Sequence, residues 1–174
     1  MARAVRLAAS GFWLVLAQDD LAQSLLPRWV SVDGSIRGER GSEGFHVVRD
    51  GAGGLAIEPG EVGRRLLRSF RHAAAAAAWA GSDVLVDECA FDDGAWARWQ
   101  EATSGLRATW VQVACELAEC ERRERLRPDR ALLVGLARGQ QHRVHTGFRY
   151  DLTVDLTTGD VDAAARAVLG AVEG

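Results

Sequence analysis

The sequence predicts a three-layer α/β domain in which a parallel sheet carries helices on both faces. Short apolar runs alternate with helical segments along the chain, the pattern of successive βαβ units. Two of those runs end in acids, Asp33 and Asp87-Glu88, at the strand end where open α/β sheets hold ligands. A length of 174 residues with 48% hydrophobic content suffices for one core, so residues 1–174 are expected to form a single domain.

The first buried strand is expected at Ala4 to Ala8 or at Phe12 to Leu16. Asp19 and Asp20 are candidate caps for a short helix, LAQSLL, that Pro27 stops. Trp29 to Val32 reads as a strand ending in Asp33-Gly34. Phe45 to Val48 and Leu55 to Ile57 flank the glycine-rich stretch Asp50 to Gly54, a hairpin signal. Glu58-Pro59 opens a long helix through Trp79 that Gly81 ends, since proline is tolerated in a first helical turn. Within it, Ala73 to Ala78 give a small-residue surface suited to close packing.

Val84 to Val86 forms a buried strand, and Asp92 or Asp93 caps a helix from Ala95 to Thr103. Thr109 to Val113 is the next strand, followed by helices from Cys115 to Arg125 and from Ala131 to Ala137. Leu152 to Asp155 is the last strand, with Thr157 or Thr158 capping a closing helix from Val161 to Val172.

A net charge of -3 argues against a general nucleic-acid binder, which needs a basic surface. All 21 basic residues are arginine, so Schiff-base chemistry and a lysine on a β/γ-phosphate are both excluded. Cys89, Cys115 and Cys120 form no CxxC pair and, with four scattered histidines, do not make a zinc pattern. The unpaired cysteine count fits a reducing compartment, and a cytoplasmic protein is expected. Residues 1–17 have the outline of a secretory signal, but Ser10-Gly11 breaks the apolar run. That run is also far short of the roughly 20 residues a membrane span needs.

A carboxylate after an apolar strand can hold Mg²⁺ directly or through water, which makes Asp87 a metal candidate. Arg122, Arg123, Arg125, Arg127 and Arg130 form a dense cluster, and guanidinium groups bind phosphate bidentately. Glu119, Glu121 and Glu124 could equally pair with them as a solvated helix face, while Pro128-Asp129 introduces a hinge-like break. Trp96 and Trp99 share a helical face suited to core or pocket wall. His145, near Tyr150, could line a ligand site or make a structural hydrogen bond.

Taken in order, several motifs resemble the chloramphenicol phosphotransferase family. They are W-x-x-V-D (Trp29 to Asp33), V-L-V-D-E (Val84 to Glu88), R-E-R-x-R-x-D-R (Arg123 to Arg130), G-L-A-x-x-Q (Gly135 to Gln140), V-H (Val144-His145) and Y-D-x-x-V-D (Tyr150 to Asp155). The resemblance implies a P-loop kinase-like fold with a parallel sheet of about five strands. It also implies ATP- and Mg²⁺-dependent phosphorylation of a small antibiotic-like alcohol. By position, Asp33 would accept the proton of the substrate hydroxyl, Asp87 would associate with Mg²⁺, and Arg123, Arg127 and Arg130 would belong to a lid over the phosphates. Tyr150 and Asp155 look structural.

The family's G-x-x-x-x-G-K-S/T loop lies between its first strand and first helix, where backbone N–H groups cradle phosphates. Residues 8–17 stand in that place, with Ser10 and Gly11 as the nearest counterparts, one glycine and no lysine. A small-molecule phosphotransferase weakened in that loop is the first expectation, and a non-catalytic small-molecule binder on the same fold is the alternative. The expected partner is a small molecule, without nucleic acid or membrane, and homo-oligomerisation is left open.

Overall fold

The computed structural model describes residues 1–23, 29–32, 40, 42–49, 51, 53–92, 94–128 and 133–173. Its helices are α1 (Ala2–Ala8), α2 (Gln18–Gln23), α3 (Glu61–Trp79), α4 (Ala95–Ala102), α5 (Leu117–Arg125), α6 (Leu136–Gln140) and α7 (Val161–Glu173). Its strands are β1 (Trp13–Ala17), β2 (Val30–Val32), β3 (Phe45–Arg49), β4 (Leu55–Pro59), β5 (Asp83–Asp87), β6 (Val111–Ala114) and β7 (Leu152–Asp155).

The chain is mixed α/β with short parallel sheets. β1 pairs with β5 in parallel, Trp13 opposite Asp83 and Ala17 opposite Asp87. β6 pairs with β7 in parallel, Val111 opposite Leu152 and Ala114 opposite Asp155. β2, β3 and β4 form a separate sheet, with β2 parallel and β4 antiparallel to β3. A continuous five-stranded parallel sheet, expected from the family resemblance, is therefore not formed among the described residues. The physical reason is twofold: β2 is drawn to the β3–β4 hairpin, and β5 and β6 each have a strand on one side only.

Two helical layers nevertheless hold the parallel pairs. On one face, Val5 of α1 and Val168 and Leu169 of α7 pack with Leu85 of β5 and Val111 of β6. On the other, Phe70 and Ala74 of α3 and Trp99 of α4 pack with Leu16, Val84, Val86 and Trp110. Leu85 faces one way and its neighbours Val84 and Val86 the other, the two-residue period of a strand buried on both faces. A second core lies under the hairpin, where Phe45 meets Leu67 and Phe91.

Several boundaries move for local reasons. Of the two places for a first strand, the alanine-rich Ala2–Ala8 is helical and the aromatic and β-branched run Trp13–Ala17 is extended. α2 begins at Gln18, so Asp19 and Asp20 lie in its first turn, where carboxylates favour the helix dipole, rather than at its cap. Pro59 closes β4 instead of opening α3, which starts at Glu61. α7 is capped by Asp160, whose Oδ1 accepts from the Ala163 N–H at 2.8 Å, not by Thr157 or Thr158. α6 lies at Leu136–Gln140, later than the expected Ala131 to Ala137, whose first two residues lie outside the described residues.

α6 sits directly on the backbone of β4. The Leu55 N–H donates to the Gly135 carbonyl at 2.8 Å, and Gly135 has the left-handed φ of 113° that glycine adopts without strain. A Cβ at Gly139 would lie 2.2 Å from the Leu55 carbonyl oxygen. Gly139→Ala should therefore separate α6 from β4 and cost about 1–3 kcal/mol, read as a lowered Tm in thermal unfolding.

Candidate active site at the strand ends

β1 and β5 end side by side, and polar groups gather at their C-terminal ends. Gln18 follows β1 directly and is buried, and its Oε1 accepts from the backbone N–H of Cys89 at 2.9 Å. That bond ties the exit of β1 to the exit of β5. Asp19 and Asp20 come next, both exposed, opening α2. Asp87, the last residue of β5, is exposed, and its carboxylate has no hydrogen-bond or ion-pair partner among the described residues.

Glu88 turns the other way. Its side chain is 5% exposed and is held by the Arg71 guanidinium through Oε1 and by the Trp99 indole N–H through Oε2. Arg71 also donates to Asp92 Oδ1 at 2.6 Å and Oδ2 at 3.1 Å, and Arg98 donates to Asp92 Oδ2 at 2.6 Å. Arg71 itself is 1% exposed and one of its donors, Nε, is buried without a partner. Two carboxylates and two guanidiniums thus neutralise one another beneath the strand ends, while Asp87 stays exposed.

A cavity of about 540 Å³ opens beside Asp87, lined by residues of α1, α3, β5, α4, β6 and α7 and by Cys89, His145 and Tyr150. His145 Nδ1 lies 2.5 Å from the Tyr150 hydroxyl, and its backbone has a left-handed φ of 67°. Burial pushes the His145 imidazole below its ordinary pKa, favouring the neutral ring. Burial, then the negative charge of nearby Cys89, pushes the Tyr150 phenol up to about 12. Tyr150 stacks on Phe148, which meets Trp96 and Trp110, so these rings form an aromatic wall.

The remaining expected site residues are dispersed. Asp33 and Arg130 lie outside the described residues. The strand before Asp33, β2, belongs to the hairpin sheet, so it does not run beside the strand that delivers Asp87. Ser10 and Gly11 join α1 to the start of β1, at the opposite end of that strand from the acids. β1 passes into α2 without an intervening residue, leaving no loop there. Arg122 and Arg123 both pair with Glu119 at 2.6 Å, and Arg123 also donates to the Leu156 carbonyl at 2.6 Å. Glu124 accepts from the N–H groups of Gly135 and Ala137, and Arg138 pairs with Glu121. Arg127 is exposed.

Sequence reasoning missed Arg71 and Gln18. Arg71 had a legible signal, because it falls on the buried stripe of α3 with Leu67, Phe70, Ala74 and Ala75, where an unpaired charge is prohibitively costly. Gln18 had none, since its partner is 71 residues away.

A model of the family "chloramphenicol phosphotransferase-like protein" matches residues 1–173. The chain belongs to the chloramphenicol phosphotransferase-like family. No curated protein matches it. Membership points to a phosphotransferase-type kinase fold and, for such folds generally, to nucleotide and Mg²⁺ use. The donor set fits Mg²⁺, which is commonly held by one or two carboxylates with water and phosphate oxygens, and Asp87 offers such a carboxylate. Among the described residues no glycine-rich strand-to-helix loop faces these acids. No helix among those residues is long and apolar enough to cross a membrane.

Burial works to raise the pKa of Asp92, but hydrogen bonds and charge from Arg71 and then Arg98 outweigh it and hold the carboxyl below its ordinary 3.8. A depressed folded pKa contributes stability that is present above 3.8 and is lost as pH falls through the lower folded value. Arg71→Met should cost about 3–5 kcal/mol at neutral pH by stranding two buried carboxylates. The same substitution should flatten the loss of stability below pH 3.8, measured as Tm against pH.

Proposed function

We propose that the chain is a small-molecule O-phosphotransferase that modifies a hydroxyl of an antibiotic-like alcohol in the cytoplasm, using ATP and Mg²⁺. The observation that carries this reading is that Asp87 closes β5 while Asp19 and Asp20 follow β1 at the same end of a parallel strand pair, in a chain whose family match runs from residue 1 to 173. Asp87 would hold Mg²⁺, which when bound neutralises charge on a transferring phosphoryl group. One carboxylate of Asp19 and Asp20 would accept the proton of the attacking hydroxyl as its oxygen bonds to the γ-phosphorus of ATP and the bond from that phosphorus to the ADP oxygen breaks, ADP leaving. Asp33, which the resemblance implies for that role, competes for it. Arg127 and Arg130 are the arginines proposed for phosphate charge, with Arg123 positioning the helix that precedes them.

A non-catalytic binding protein is the second reading, favoured by the direct passage of β1 into α2 with no phosphate cradle between them. Purified protein with MgATP and chloramphenicol-like alcohols separates the two. Phosphate incorporation into the alcohol supports the enzyme; saturable binding of the alcohol without transfer supports the binder.

For the enzyme, Asp87→Asn should raise the Mg²⁺ requirement and lower turnover, and Asp19→Asn/Asp20→Asn should lower turnover by about 100-fold or more with acceptor affinity retained. Full activity in the double variant with loss in Asp33→Asn would move the proton acceptor to Asp33.

A further inference from the structure

The parallel strands are two pairs with a gap between them. Each pair presents one edge to the cavity: β5 through Val84, Leu85 and Val86, and β6 through Val111 and Val113. The helical layers treat these pairs as one sheet. Leu85 of β5 and Val111 of β6 pack into the same cluster with α1 and α7, while Val84, Val86 and Trp110 share the cluster on the opposite face. β5 and β6 are joined through a single helix, α4, the connection that returns a chain parallel to itself.

The gap therefore lies inside a layer already roofed and floored, and the apolar edges along it are incompletely buried. Val84, Leu85, Val86 and Val111 are half-buried, and Val113 is 38% exposed. Both edges also expose backbone N–H and C=O groups in an apolar setting, a costly arrangement that a small organic ligand would not relieve along two ladders at once. An extended segment would relieve both.

We propose that this slot is the seat of a central parallel β-strand of apolar residues, supplied by a segment of the same protein that leads into Met1. The direction of α1 favours that source. α1 ends at Ala8, four residues before β1 starts at Trp13, so the C-terminus of α1 lies near the strand starts and its N-terminus points toward the strand ends. Met1 and Ala2 themselves line the slot, along with Asp87. A strand inserted parallel to β5 would finish beside Asp87 and reach Met1 through a short loop. The five strands would then form one parallel sheet in the order β1, β5, inserted strand, β6, β7, and the loop would enter the candidate active site. The inference rests on strand edges and packing, and stands whether or not the protein transfers phosphate.

The intact mass and N-terminal peptide of the protein isolated from cells that carry its gene test this directly. The expected chain begins upstream of Met1 by at least a five-residue strand matched to β5 plus a loop of roughly 2–6 residues. The added residues should resist limited proteolysis and raise Tm on the order of 10 °C over the chain that begins at Met1. A cellular protein beginning at Met1 overturns the proposal, as does an upstream segment that proteolysis removes without changing Tm. Val113→Asp gives a second readout: it should lower the Tm of the longer chain and leave the shorter one nearly unchanged. Equal losses in both would place Val113 in an already complete core and reject the strand. If size-exclusion chromatography shows the Met1-started chain as a dimer with the Tm of the longer form, another copy fills the slot and the upstream source is wrong.

Discussion

The buried charge cluster around Arg71 is the constraint on which the functional end of this protein depends. α3 presents an apolar stripe to the sheet, and an arginine in that stripe is tolerable only if its charge is matched in place. Glu88 from the exit of β5 and Asp92 from the following segment provide the match, so the path of the chain after β5 is dictated by a residue on another element. Because Glu88 is consumed inward and Asp87 immediately before it is not, neighbouring acids take different roles. The first fixes the backbone and the second meets solvent. The indole of Trp99 and the guanidinium of Arg98 extend the same network into α4, which is why a helix with only two buried residues holds its place.

Packing and hydrogen bonding give different accounts of the parallel layer. One apolar cluster crosses from β5 to β6 and β7 and the other from β1 and β5 to Trp110 just before β6, so burial joins the two strand pairs on both faces. Hydrogen bonding does not, because each pair stops at an edge. Natural sheets cover, charge or shorten their edges, whereas the edges here are apolar at Val84, Val86, Val111 and Val113. Apolar edges facing each other under a common roof are what remains when a sheet lacks an interior strand. The same geometry explains why Ser10 and Gly11 do not form a phosphate loop: they connect a helix to a strand, while such a loop leaves a strand and enters a helix.

What could be read from residues alone followed the range of the forces involved. The hairpin expected at Phe45 to Val48 and Leu55 to Ile57 and the strands expected at Val84 to Val86 and Leu152 to Asp155 were legible to within two residues at each end, because period-two patterns and glycine turns act within a few residues. Which strands pair was not, since pairing joins positions tens of residues apart. Trp29 to Val32 carries a good strand signal, but its strand Val30–Val32 pairs with the hairpin strand Phe45–Arg49. Gln18 reads as an ordinary polar residue until its contact with Cys89 is known. Asp19 and Asp20 were visible as helix-starting acids, but their position beside Asp87 depends on the register of β1 against β5.

The arginines around α5 show how pairing bears on function. Arg122 and Arg123 share Glu119, and Glu121 and Glu124 are engaged with α6, so α5 is both a charged surface and a strut for its neighbour. Pairing of this kind does not by itself remove an arginine from phosphate binding. Exposed ion pairs contribute little net stability, and an incoming phosphate offers a guanidinium a stronger, bidentate partner than a shared carboxylate. The Glu119 carboxyl, lowered to about 2 by hydrogen bonds from Arg122 and then Arg123, stays ionised and holds both guanidiniums in place until a stronger anion competes. Arg123 is the less movable of the two, because its second bond, to the Leu156 carbonyl, anchors it to the segment after β7. Arg123 thus fixes α5 against the segment after β7, while Arg125 and Arg127 beyond it are exposed. The contrast with Arg71 is one of burial, since exchange of partners is cheap at the surface and prohibitive in the core.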